Sequence, residues 1–112
     1  MIVAQKTTAT IPASGVGYSP PMKLSSKYGF FSVQTVVSGS GTLAITYQMS
    51  NSEAEPLVWS SPAEAEAIAS GLTAGTTMYK FEPVTIGMWL RLVFTETGTS
   101  NTVTYACSMA AQ

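Results

Sequence analysis

The sequence of 112 residues contains no histidine, no aspartate and only one cysteine. Without histidine or aspartate, it can form neither a Ser-His-Asp nor a Cys-His catalytic group. A single cysteine excludes an internal disulfide and, without histidine, a zinc site of the usual ligands. A calcium site is not expected without aspartate, and no glycine-rich phosphate loop with a following Gly-Lys-Ser/Thr is present. We therefore predict a protein that is not an enzyme and that binds no cofactor or metal.

Charged residues are also scarce, since Asp, Glu, Lys and Arg together make up 10% of the chain. A typical soluble domain has about 25%. A surface built mainly from Thr, Ser, Ala, Gln and Gly is poorly protected against association. Two interpretations follow: a low-charge β-domain that stands alone, or a protein that covers much of its surface with partner subunits. We favour the second interpretation.

Basic residues are too few to indicate binding to nucleic acid or to an anionic membrane. Five Lys and Arg residues are spread along the chain and the net charge is -1, whereas both kinds of partner require a basic cluster. No segment approaches the roughly 20 apolar residues of a transmembrane helix. The N-terminal apolar run is interrupted by Gln5 and Lys6, so no cleavable signal peptide is expected. Synthesis in the cytoplasm is the expectation.

The clearest pattern lies in Phe30 to Asn51, FFSVQTVVSGSGTLAITYQMSN. It predicts two β-strands joined by a Ser-Gly-Ser-Gly turn, which we interpret as a β-hairpin. Apolar and polar residues alternate in the second strand, as in a strand with one buried face. The predicted inward row is Leu43, Ile45, Tyr47 and Met49, and the outward row is Thr42, Ala44, Thr46 and Gln48. The uncharged outward row is expected to face a second sheet or subunit.

The same pattern predicts a second β-hairpin near the C-terminus, with strands Met88 to Glu96 and Thr102 to Ala110. Thr76 to Glu82 is predicted to form a further strand. The closely spaced strands and turns are typical of an all-β fold, an antiparallel β-sandwich or jelly roll of about six to eight strands. At this length we expect one domain, residues 1–112.

Two segments have weaker predictions. Residues 2–11 read as a first strand, at an edge that Lys6 would protect, and residues 12–29 are rich in Pro and Gly. The alternative is that residues 1–28 form an extended N-terminal arm that orders only on a neighbouring subunit. Ser61 before Pro62 resembles a helix start, so residues 62–70 are predicted to form at most one short helix.

Several residues are candidates for contact with a partner. Trp59, in the loop after the predicted hairpin, and Trp89 could form aromatic platforms for a sugar or a protein. Core or rim packing is the alternative for both tryptophans. Arg91 shares the face of Trp89 and is expected to stack on it or to reach a partner carboxylate.

Glutamates cluster in the loop after Asn51, which contains Glu53, Glu55, Glu64 and Glu66. A catalytic carboxylate pair is not expected there, because no His, Lys or Arg lies nearby in sequence to tune it. Glu53 and Glu55 are instead candidates for an interface.

Several of these motifs resemble small structural proteins of tailed bacteriophages. The resemblance spans about residues 29–112 and rests on VSGSGT, QMSN, Trp59, YKFEP, the strand MWLRLVFTET and the Thr-rich terminal strand NTVTYACSMA. In size and character the chain is most similar to capsid-decoration proteins, also called cement or staple proteins.

This resemblance implies a small β-sandwich, usually a dimer or trimer, on the outer surface of a virion head. Its partner would be the major capsid protein, and each copy would stabilise contacts between neighbouring capsid subunits. Alternatives are a sandwich associated with the tail, neck or fibre, and a carbohydrate-binding module.

Overall fold

The computed structural model describes residues 3–24, 31–61, 67–82 and 88–111, and within these ranges all regular structure is β-strand. The nine strands are β1 Val3–Ile11, β2 Val16–Tyr18, β3 Met22–Lys23, β4 Phe31–Gly39, β5 Leu43–Ser50, β6 Ala69–Leu72, β7 Gly75–Phe81, β8 Trp89–Glu96 and β9 Val103–Ala111. No helix in the described part of the chain is long and apolar enough to cross a membrane.

The strands form two antiparallel sheets, which confirms the predicted sandwich. The four-stranded sheet has the order β1-β9-β4-β7. The five-stranded sheet has the order β2-β8-β5-β6, and β3 pairs with β8 beyond the end of β2. The strand number exceeds the predicted six to eight because Pro20 and Pro21 divide one edge into two short strands. Between them, Ser19 keeps contact with β8 through its main-chain N–H, 3.0 Å from Leu92 O.

The two predicted hairpins are wrong, although their strands are present. β4 pairs with β9 and β7, whereas β5 pairs with β8 and β6 in the other sheet. The Ser-Gly-Ser-Gly segment therefore carries the chain from one sheet to the other. β8 and β9 are likewise separated between the sheets. Each of these strands has one apolar row, and the rows meet across the core because burial outweighs pairing with the nearest strand in sequence.

The core consists of the inward rows that the alternation predicts. Leu43, Ile45, Leu90, Phe94 and Val103 have no exposed surface. Aromatic rings connect the two sheets: the Phe94 and Tyr105 ring centroids are 4.2 Å apart. Burying an aliphatic or aromatic side chain of this size stabilises a fold by roughly 1.5–3 kcal/mol.

Two other predictions have different outcomes. The predicted helix over residues 62–70 is wrong at its C-terminal end, where Ala69 begins β6 and pairs with Ile45 of β5; residues 62–66 lie outside the described residues. Pairing with β5 here overrides the local helix signal. Of residues 1–28, the described part forms β1, β2 and β3, and β1 lies at the edge of its sheet as predicted.

Three connections between the sheets meet at one buried carboxylate, that of Glu96, whose residue is 1% exposed. These connections are β1 to β2, β4 to β5 and β8 to β9. Glu96 Oε2 accepts the main-chain N–H of Thr42 at 2.8 Å. Glu96 Oε1 accepts those of Gly98 at 2.8 Å and Ser14 at 3.2 Å. One side chain thus supplies acceptors to three loops at the same end of the sandwich.

Candidate functional site

The outer face of the five-stranded sheet carries an arginine held in place by its neighbours. β8 and β5 are in a register that places Arg91 directly opposite Gln48. Arg91 Nε and Nη2 both donate to Gln48 Oε1, at 2.9 and 2.6 Å. The half-buried guanidinium is therefore fixed by a neutral acceptor, and within the described part of the chain no carboxylate compensates its positive charge.

Two aromatic rings lie against this guanidinium. Arg91 Cζ is 4.0 Å from the ring centroid of Tyr18 and 4.5 Å from that of Trp59. Tyr18 belongs to β2, on one side of β8, whereas Trp59 precedes Ser60, which pairs with Met49 on the far side of β5. The rings approach Arg91 from both sides of the β8–β5 pair. Such distances are those of a cation–π interaction.

We define Tyr18, Gln48, Trp59 and Arg91 as the Arg91 cluster. The sequence predicts three of its four members but not Tyr18, because pairing between β2 and β8 is not visible as a local pattern. Stacking of Arg91 on Trp89, one of its two predicted contacts, is wrong, since its ring partners among the described residues are Tyr18 and Trp59; contact with a partner carboxylate stays a prediction. Residues two apart on a strand stand about 6.6 Å from each other, farther than neighbours on paired strands.

Trp89 lies next to the cluster and has its own partners. Its Nε1 donates to Ser52 O at 3.2 Å, so the ring is fixed against the segment after β5. Lys23 Nζ is 5.8 Å from the Trp89 ring centroid. A second cation and a third aromatic ring therefore share the sheet face on which Arg91 lies.

The other predicted contact residues are more widely spread. Thr46 faces Val93, in the next outward row along β5 from Gln48. Thr42 lies at the far end of the strand, where its Oγ1 is 2.7 Å from Thr97 Oγ1. Glu53 and Glu55 are exposed in the segment after β5. Thr42, Glu53 and Glu55 thus do not join the Arg91 cluster.

The outer face of the four-stranded sheet has a different character, and we define it as the uncharged face. Its two central strands carry only uncharged residues, namely Ser32, Gln34, Val36 and Ser38 on β4 and Thr104, Ala106, Ser108 and Ala110 on β9. Among the described residues of this sheet, the lysines lie on the edge strands, Lys6 on β1 and Lys80 on β7. Val36 is 47% exposed and Met78 is 66% exposed.

Comparison with known proteins shows the fold. No protein-family model and no curated protein matches the sequence. Among solved structures, PirA matches with a TM-score of 0.58 and 18% identity over 96% of this chain and 94% of that chain. A carbohydrate-binding module, CBM4, matches with a TM-score of 0.55 and 14% identity over 96% of this chain and 71% of that one.

A viral protein gives a structural match of similar quality. A chain of infectious bursal disease virus, Gt strain, matches with a TM-score of 0.54 and 13% identity. The match covers 99% of this chain and 32% of the viral chain, so this protein spans about a third of the viral chain's length. At such identities, all three likenesses establish the β-sandwich fold.

Proposed function

We propose that this protein is a non-enzymatic virion structural protein that binds the outer surface of a capsid and stabilises contacts between major capsid subunits. The observation that supports this role is the uncharged face, whose central strands β4 and β9 present Ser, Thr, Ala, Gln and Val without any charge. The resemblance of its motifs to bacteriophage structural proteins supports a place on a head. A fold shared with a chain of a virus is compatible with it.

Docking of another protein on the uncharged face would carry a small desolvation penalty. No ion must be desolvated at its centre, and the exposed side chains of Val36 and Met78 would gain by removal from water. On the five-stranded sheet, Arg91 lies on the inner strand β8, so covering that face would desolvate a cation at its centre, whereas Lys6 and Lys80 lie at the edges of the four-stranded sheet. The four-stranded sheet is therefore the better docking surface.

The size of the uncharged face predicts weak individual contacts. Four strands of up to nine residues span about 19 Å by 30 Å. The area of this rectangle is somewhat smaller than the roughly 800 Å² that each partner buries in a standard interface. A dimer or trimer of the protein would multiply the contact, and many copies on one shell would multiply it further. We accordingly propose a homo-oligomer as the binding unit.

The experiment uses capsids assembled without this protein and a matched pair of charge insertions. Val36→Lys places a charge at the centre of the uncharged face, and Thr46→Lys places the same charge on the five-stranded sheet. We expect wild-type protein and Thr46→Lys to sediment with the capsids and Val36→Lys to remain in the supernatant. Met78→Lys, at an exposed edge position, should weaken binding less than Val36→Lys.

The possible results separate the alternatives. Loss of binding with Thr46→Lys alone would move the contact to the five-stranded sheet. Electron microscopy of particles with and without the protein locates it: added density on the head shell supports decoration, and density at the tail or neck supports the alternative site. Absence of binding to any particle would overturn the proposal.

A further inference from the structure

We infer that the Arg91 cluster binds a sugar that carries a carboxylate, such as a uronic acid. The cluster lies on the sheet opposite to the uncharged face, so a protein docked through one sheet would present the other outward. This inference does not depend on the capsid role, because it rests on the contacts of Tyr18, Gln48, Trp59 and Arg91 alone.

The first step concerns charge. A guanidinium has five N–H groups, and Arg91 donates from Nε and Nη2 to a single oxygen of Gln48. The remaining N–H groups have no carboxylate partner in residues 3–24, 31–61, 67–82 and 88–111. Glu96, a buried glutamate of the same strand, has its oxygens engaged by main-chain N–H groups instead. A pre-oriented guanidinium of this kind binds a carboxylate strongly.

The second step concerns the aromatic surface. The ring of Tyr18 lies against Arg91 and the residue is still 50% exposed, while Trp59 is half-buried on the other side of the cluster. An exposed ring beside a cation suits a ligand with an apolar face and an anionic group. A sugar ring has such a face in its C–H groups, and an aromatic side chain offers it a flat apolar surface.

A third contribution comes from Gln48. Both hydrogen bonds from Arg91 go to its carbonyl oxygen, which fixes the amide so that Nε2 points away from Arg91. Nε2 is 3.4 Å from Ser61 Oγ, a long hydrogen bond, and it has a second N–H. The amide can therefore donate to a hydroxyl group of a sugar whose carboxylate lies on Arg91.

Other anions fit less well. Phosphate is usually held by several cations or by a series of main-chain N–H groups, whereas the cluster offers one guanidinium. An acidic peptide side chain would account for the charge but would leave the exposed ring of Tyr18 uncovered. A carboxylated sugar uses both the guanidinium and the rings.

The test compares oligosaccharides of glucuronic acid with the matching oligosaccharides of glucose, which have a hydroxymethyl group where glucuronic acid has the carboxylate. Nitrogen-15 NMR of the full chain follows the Arg91 Nε–H and the Trp59 indole N–H. We expect both resonances to shift with the acidic sugar, and the glucose series at the same concentration to shift neither. Equal shifts with the two series would overturn the inference.

Simple anions and an acidic peptide provide the next controls. If acetate, inorganic phosphate or oligoglutamate binds as tightly as the glucuronic acid series, the site recognises charge alone and the inference is wrong. Weaker binding of all three supports it.

Variants assign the binding to the cluster. Arg91→Met should weaken binding of the acidic sugar by at least about tenfold, corresponding to loss of one charge-assisted contact. Lys6→Met, which removes a cation from the opposite sheet, should leave binding unchanged. Tyr18→Ala removes an exposed ring and should also weaken binding, so it tests the site if Arg91→Met fails to fold. Unchanged binding in a folded Arg91→Met or Tyr18→Ala protein would contradict the assignment.

Discussion

The main-chain N–H of Thr42 donates to Glu96 Oε2 at 2.8 Å, and this hydrogen bond joins the start of β5 to the end of β8 at the place where the chain changes sheets. A second bond, between Thr42 Oγ1 and Thr97 Oγ1 at 2.7 Å, reinforces the same junction. Ser14 and Gly98 donate to the other oxygen of Glu96. The buried carboxylate therefore replaces the local turn bonds that a hairpin would have formed.

This arrangement predicts a loss of stability in acid. The pKa of Glu96 is lowered, chiefly by the hydrogen bond from the main-chain N–H of Thr42. Burial acts in the opposite direction, and the hydrogen bonds from Ser14 and Gly98 lower the pKa further. The pKa of Glu96 is lower in the folded protein than in the unfolded chain. The ionised carboxylate therefore contributes its full share of stability at pH values above the ordinary carboxyl range. This contribution is lost as the pH falls through the folded pKa. Thermal unfolding at a series of pH values should show the melting temperature falling over that range.

Glu96→Gln tests the assignment of this effect. The amide keeps one acceptor oxygen but places an NH2 donor against a main-chain N–H that Glu96 now accepts, so we expect a lower melting temperature at neutral pH and a flatter curve in acid. Glu82→Gln, at an exposed position, is the matched control and should follow the wild-type curve. If Glu96→Gln unfolds with the same pH dependence as wild type, another group is responsible.

The space around Glu96 predicts that Gly41→Ala destabilises the protein. A Cβ on Gly41 would lie 2.8 Å from Thr102 O and 3.0 Å from Glu96 Oε2, so a backbone atom and a fixed carboxylate would have to move. Overpacking of this kind costs about 1–3 kcal/mol. Urea denaturation measures the change in the free energy of unfolding. Ser40→Ala, an exposed neighbour, should change it by less than about 0.5 kcal/mol.

The sequence predicts the longer strands and the inward rows of β4, β5, β8 and β9, but neither the short strands β2, β3 and β6 nor how the strands pair. A period of two reveals which face of β4, β5, β8 and β9 is buried. It is the same pattern whether the next strand lies beside it or across the core, so the two hairpins could not be distinguished from sheet crossings. For the same reason Arg91, Gln48 and Trp59 are recognisable as candidates, whereas Tyr18 joins them only through pairing of β2 with β8.

The single thiol should be protected from reagents in the folded protein. Cys107 is 1% exposed, burial raises the pKa of its thiol, and a hydrogen bond from Thr35 Oγ1, 3.7 Å from Sγ, opposes that rise only in part. We expect a thiol reagent to label it at least about 10³-fold more slowly than an exposed cysteine, since labelling requires opening of the fold.

The reference for that rate is Ser108→Cys in a Cys107→Ala protein, because residue 108 is the next position on β9 and is exposed. Labelling is followed by mass spectrometry with and without denaturant. Similar rates for the two thiols in the native protein would mean that β9 opens readily.

The last prediction concerns a close contact in the core between Gly17 and Tyr105. The Tyr105 hydroxyl is buried and has no hydrogen-bond partner among the described residues. It is also the nearest atom to the position that a Cβ on Gly17 would occupy, with Ile11 Cγ2 next at 3.2 Å. Gly17→Ala should therefore cost about 1–3 kcal/mol of unfolding free energy. Tyr105→Phe should be neutral or stabilise by about 1 kcal/mol, because a buried unsatisfied hydroxyl is removed.

The double variant tests whether the contact itself is responsible. Removing the hydroxyl frees the space that the methyl group introduced by Gly17→Ala requires, so Tyr105→Phe should recover at least about 0.5 kcal/mol of the cost of that substitution. Gly15→Ala is the matched control, since a Cβ there would meet Pro12 O at 2.8 Å and not Tyr105; its cost should be the same in both backgrounds. Additive changes for Gly17→Ala and Tyr105→Phe would show that the hydroxyl does not set the requirement for glycine at this position.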